Sequence, residues 1–164
     1  MTDTNNVQEH DLEMLRETIR MAEEAVGRGV HPFASIVVNE EGEIVARAYN
    51  NSRPPAGDPT QHAELQAAAL AAKKLGPAEL AKCTLYTSAE PCCMCAGAVY
   101  WCGIGRVVYG LSETSLLALT GSHPENPTLS LPCRDVFAAG QRAVETVGPL
   151  LEEEAAKPHK GFWK

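Results

Sequence analysis

The chain has 164 residues, 45% hydrophobic and 21% charged, the balance of an ordinary globular domain with one core. Its formal net charge of −7 counts against a polynucleotide partner, because phosphates are bound mainly through lysine and arginine, and no apolar run approaches the ~20 residues that span a bilayer. The first ten residues, MTDTNNVQEH, lack the basic and apolar regions of a secretory signal, so a cytoplasmic chain forming a single domain over 1–164 is expected.

The predicted elements begin at Asp11. Apolar Leu12, Leu15, Ile19, Ala22 and Val26 recur every three or four residues, one face of an amphipathic helix that Gly27 and Gly29 would end. After His31-Pro32, FASIVV and EIVARAY are β-rich runs separated by NEEG, which predicts a hairpin. NNSRPPAGDPT has the composition of a loop. HAELQAAALAAKKLG predicts a helix, capped from Asp58 or Thr60 and stopped by Gly76-Pro77. CTLYTS reads as a buried strand, PCCMCAGAVYWCG as a helix opened by Pro91 and closed by Gly103, and RVVYG as a further strand. LSETSLLALTGSHPENPTLSLPC reads as one long irregular segment of the kind that carries binding function. RDVFAAG, RAVETVG and LLEEEAAKPHKGFWK read as a short helix, a strand and a closing helix or tail. Helices interleaved with strands after an opening hairpin imply an α/β fold, a three-layer sandwich around a mixed sheet of about five strands.

Four of the six cysteines crowd into Cys92, Cys93, Cys95 and Cys102. Cys92 and Cys95 stand three residues apart at a predicted helix start, where both sulfurs share one face and the helix N-terminus favours thiolates. Alone, such a pair also fits a redox dithiol or two small core residues, and a lone His62 reads as a structural histidine. Taken together, His62, Cys92 and Cys95 make three ligands for zinc and leave the fourth position to water. Glu64, two residues beyond His62, is placed to act on that water as a general base. A purely structural zinc site needs a fourth Cys or His. Cys93 points away from its neighbour Cys92 and Cys102 lies too far along the helix, so these two, with Cys83 and Cys133, read as packing residues.

His62-Ala63-Glu64 and Pro91-Cys92-Cys93-Met94-Cys95 match the H-x-E…P-C-x-x-C signature, and the chain thereby resembles the zinc deaminases. That implies hydrolytic deamination of a neutral amino-heterocycle with release of ammonia, zinc as the only cofactor, and Glu64 as acid and base in turn. PFASIVV, DPTQHAE, LYTSAEPCCMC and GAVYW resemble bacterial guanine deaminases, and the CAGA and IGRVV stretches are similar to tRNA adenosine deaminases as well. The resemblance runs from about Pro32 to Gly110. It implies a cytidine-deaminase-like three-layer α/β/α fold with a mixed five-stranded sheet, a homodimer with sites near the subunit boundary, and a small-molecule substrate. It also implies that Asn50, or Asn51 after a slip of one residue, hydrogen-bonds the base. Phe33 and Trp101 would wall the pocket, with the backbone N–H of Ala63 or Cys92 facing the base carbonyl. Guanine is the first substrate expected. Guanine deaminases, however, carry an acidic segment after the strand at VVYG, where this chain has only Glu113 and Glu125, with His123 beside them. Isocytosine, cytosine or a nucleoside therefore stays open, as do a tRNA adenosine and a non-catalytic zinc-stabilised binding module, although Glu64 speaks against the last.

Overall fold

The computed structural model describes residues 6–164. Of the polar start expected over residues 1–10, the first five positions lie outside the described residues, and Glu9 and His10 already belong to the first helix, α1 (Glu9–Gly27). α1 buries Leu15, Ile19 and Ala22 at helical spacing, and Gly29, with φ +76°, turns the chain out of the helix. Its first turn is fastened to the sheet through Asp11. The Tyr86 hydroxyl donates to Oδ1 at 2.6 Å, and the Arg106 guanidinium donates to both carboxylate oxygens at 2.7 and 2.9 Å.

The hairpin forms as expected from β1 (Ala34–Val38) and β2 (Ile44–Tyr49). β1 pairs antiparallel with β2 and with β3 (Thr84–Ala89); β3 pairs parallel with β4 (Arg106–Leu111), and β4 parallel with β5 (Glu145–Val147). The result is a mixed five-stranded sheet in the order β2-β1-β3-β4-β5. Among the described residues the remaining α-helices are α2 (Ala63–Lys74), α3 (Pro77–Leu80), α4 (Cys93–Cys102), α5 (Glu113–Thr120), α6 (Cys133–Ala138) and α7 (Glu152–Ala156), the last running into a short 3-10 turn over Lys157–His159.

Alternation along the strands splits the core in two. Val37, Leu85 and Val107 face α2, α4 and α6 and pack on Ala67, Ala71, Val99 and Phe137. Ile36, Tyr86 and Val108 face the other way and pack on Leu15, Ile19 and Met21 of α1 and Ala155 of α7. The three expected layers result. Two short elements were not expected. Pro77, read as a stop, opens α3 as its first residue, since proline suits that position as well as it ends a preceding helix. The segment read as wholly irregular after β4 contains α5, whose N-cap Ser112 accepts from Ser115 N–H. Asp58 and Thr60 do not cap α2: Asp58 Oδ1 accepts from Thr60 N–H at 2.8 Å and closes the turn before it, leaving His62 as the N-cap.

Candidate active site

α2 and α4 lie side by side on one face of the sheet, and their N-termini meet. His62 and Cys92 are the two N-cap residues, both in extended backbone and neither spending its side chain on a cap. Imidazole and thiol are therefore free to face each other, and Cys95, the third residue of α4, joins them from one turn further on. One nitrogen and two sulfurs lie within 4.8 Å of one another. Cys92 Sγ stands 3.6 Å from His62 Nδ1. Tetrahedral zinc, with bonds of about 2.3 Å to sulfur and about 2.0 Å to nitrogen, places those two atoms about 3.5 Å apart. The residues fit zinc in geometry and in donor chemistry. The Cys95 thiol, bonded to it, and His62 overcome burial and draw Cys92 down to about 4, whereas Cys95 is held well above its ordinary value.

Glu64, the second residue of α2, is 4% exposed. Burial raises its pKa, opposed by the His62 charge. A carboxylate in that setting holds and releases a proton more nearly at neutral pH than a solvated one. Thr87 Oγ1 donates to Glu64 Oε1 at 3.0 Å and also lies 2.8 Å from Ala89 O. The hydroxyl has one proton, so it donates to Glu64 when that group is ionised and to Ala89 O when Glu64 itself carries the proton.

These groups open onto a cavity of about 550 Å³, the size of an ordinary small-molecule site. Asn50 lines it, 4% exposed, and its orientation is set: Oδ1 accepts from Ser52 N–H at 3.1 Å and from Ser52 Oγ at 2.8 Å. The Asn50 amide nitrogen is thereby left to donate into the cavity. Asn51 instead donates from Nδ2 to Gln61 Oε1 at 2.6 Å and is absent from the lining. Phe33 forms part of the wall and packs edge-on against His159 at 5.2 Å. Ala63, fully buried, lies between His62 and Glu64, its N–H in the first turn of α2. Trp101 requires a correction: it is 86% exposed, beyond the second turn of α4, and does not line the cavity of its own chain, because the helix that brings Cys95 inward carries position 101 to the outer side. Glu125 lines the cavity, whereas His123 is not part of the lining and packs edge-on to Trp163 at 5.3 Å. Ser52, Thr87 and Glu90 escaped the sequence reading. Strand alternation did place Thr87 on the same face as Leu85; nothing local marked the other two.

The model for the cytidine and deoxycytidylate deaminase zinc-binding region matches residues 8–111. The chain is 46% identical over 160 residues to a probable cytosine deaminase of Schizosaccharomyces pombe, covering 98% of this chain and 96% of that one. It is 42% identical over 101 residues to the guanine deaminase of Bacillus subtilis, covering 61% of this chain and 64% of that one. Among solved structures, the guanine deaminase of Nitrosomonas europaea superposes with a TM-score of 0.74 at 26% identity, covering 91% of this chain and 82% of that one. Motif, zinc-fitting geometry and a family match over residues 8–111 agree, and the chain belongs to the cytidine and deoxycytidylate deaminase zinc-binding family.

Proposed function

We propose that this zinc deaminase removes the exocyclic amine of a free amino-heterocyclic base, a cytosine-type pyrimidine first and guanine second, acting through His62, Cys92 and Cys95 as metal ligands and Glu64 as the proton carrier. The observation that carries the reading is the buried Glu64 carboxylate beside the three ligand residues, at the base of a cavity into which Asn50 directs an amide donor. A zinc ion held by those three residues would supply hydroxide at neutral pH. Glu64 takes a proton from the attacking water and gives it to the ring nitrogen as the C–O bond forms. It then takes the second proton from the hydroxyl now on the ring carbon and gives it to the amine as the C–N bond breaks and ammonia leaves. Asn50 donates to the base carbonyl, the Ala63 N–H faces the same side, and Phe33 covers the ring.

The electrostatics of the walls favour a neutral ligand. Glu64, Glu90, Glu113 and Glu125 line the cavity against one guanidinium, Arg53, which is itself paired with Glu125 at 3.1 Å. Burial, aided by Arg53 and opposed by Glu125, lowers the pKa of His31 and favours its neutral form. A nucleotide or an anticodon loop would bring phosphate to acidic walls. Cytosine ranks above guanine because the whole-chain relative is named a probable cytosine deaminase, and a match over 98% of the chain takes in the segment that forms the outer wall.

Supporting details accord with a single deaminase unit in the cytoplasm. All six cysteines are free thiols, and among the described residues no helix is long and apolar enough to cross a membrane. The exposed Trp101 side chain supports pairing of two copies, as the family resemblance implies; a monomer mass in sedimentation at micromolar concentration would refute it. The deciding experiment measures ammonia release by the zinc-loaded protein from cytosine, isocytosine, guanine, cytidine, a cytidine monophosphate and tRNA. Turnover of free bases with no turnover of the phosphorylated substrates is expected. Silence across the panel, or preference for a phosphorylated substrate, would overturn the reading.

A further inference from the structure

Glu90 stands between β3 and Pro91, two residues before Cys92. Each of its carboxylate oxygens accepts a backbone N–H: Glu113 N–H bonds to Oε1 and Cys133 N–H to Oε2, both at 3.0 Å. These are the first amides of α5 and α6, donors that helix geometry leaves without a partner inside the helix. α5 has its own cap in Ser112, but α6 starts behind Pro132, whose ring offers no acceptor. Glu90 thus supplies from another element the cap that α6 lacks. Its own backbone N–H donates to Leu111 O at 2.8 Å. One residue therefore ties the turn that presents Cys92 to both ends of the 113–133 segment. Between those ties, Pro124, Glu125, Asn126, Thr128 and Leu129 form one wall of the cavity. The side-chain ties from that wall to the opposite rim include the half-exposed Arg53–Glu125 pair, of a solvated kind that contributes little, and a longer approach of His31 Nε2 to Glu125 Oε2 at 3.8 Å.

We propose that Glu90 is a positioning residue: by holding the first amides of α5 and α6, it fixes the outer cavity wall relative to the metal ligands and so sets substrate affinity. Both carboxylate oxygens are engaged with the backbone, which leaves Glu90 out of the proton transfers. The kinetic part of the test rests on the deaminase reading above; the exchange part does not.

Glu90→Gln keeps the size of the side chain but turns an amide NH2 toward one of the two backbone N–H groups. In the zinc-loaded protein, KM for whichever base the wild type deaminates should rise about tenfold, with kcat within about threefold, the split expected when uniform binding is lost. Zinc stoichiometry should be unchanged. Amide hydrogen exchange should accelerate in peptides from 113–133 while α1 keeps its protection. Glu90→Asp, which retains the charge but is too short to reach both amides, should fall between the two, and it carries the test if E90Q does not fold. Unchanged KM with unchanged exchange would overturn the proposal. So would a fall in kcat at constant KM, loss of zinc, or exchange accelerated throughout the chain, which would mean general destabilisation. If the wild type releases no ammonia from any base, the substrate reading fails, and local against global or absent exchange still decides the role of Glu90.

Discussion

At Glu64 a charged side chain is buried where a globular core would reject it, and its neighbours explain why it is kept. His62 and the Thr87 hydroxyl stabilise the ionised form, while burial stabilises the neutral one, so both states are accessible. Replacing Glu64 by Gln preserves shape and leaves the three ligands in place. Zinc content should stay at the wild-type level by metal analysis, and ammonia release should fall by about 10²- to 10⁴-fold. Wild-type turnover in E64Q would remove Glu64 from the mechanism. Thr87→Val deletes the hydroxyl but keeps the volume on β3. With one donor to a buried carboxylate lost, kcat should drop by about 10- to 100-fold with KM little changed, and Thr87→Ser should restore it. Asn50 is a different case. Sequence left it level with Asn51, and two hydrogen bonds from Ser52 separate them by fixing which end of the Asn50 amide faces the cavity.

Among the elements, the two helix N-termini that build the site were legible because each carries strong local marks. An alanine-rich run follows His62, and Pro91 with Gly103 brackets the other helix, Gly103 taking φ +91° at its end. α5 was hidden because its apolar residues, Leu116, Leu117 and Leu119, sit inside a segment otherwise dense in Ser, Thr, Gly and Pro, and the helix is held by Ser112 and Glu90 as much as by its own pattern. The C-terminal tail was equally opaque. Trp163 Nε1 donates to His159 Nδ1 at 3.0 Å, and His159 packs on Phe33 of the cavity wall. Burial holds the His159 pKa at about 4, below the ordinary 6.5. Between those values the unfolded chain binds more protons than the folded one. Stability is therefore greatest above pH 6.5, falls as pH drops through the window, and levels off below about 4. The loss is on the order of 3 kcal/mol. Urea midpoints of the wild type at pH 7 and pH 5 should differ accordingly, and His159→Gln should shrink the difference; an equal dependence in both proteins would refute the assignment.

For the molecule as a whole, the metal site is also a cross-link. His62 and Cys92 cap helices and stand thirty residues apart in the chain, so an ion held by both would fix each N-terminus against the other. Zinc binds this folded arrangement and not the extended chain, so removing it should cost stability as well as activity. Chelation, confirmed by metal analysis, should lower the thermal midpoint by about 10 °C, and zinc added back should restore it. An unchanged midpoint would mean that α2 and α4 hold their positions by packing alone. Local pattern by itself determined the hairpin, the long helices, the mixed α/β class and the ligand set, because hydrophobic period, helix punctuation and the spacing of His62, Glu64, Cys92 and Cys95 are properties of neighbours in sequence. Tertiary structure alone decided that Asn50 and not Asn51 lines the cavity, that Trp101 lies outside it, and that Glu90 joins three segments. Each of those depends on where a side chain points relative to residues far along the chain, and a direction in space is fixed only when the sheet closes and the helices pack on it.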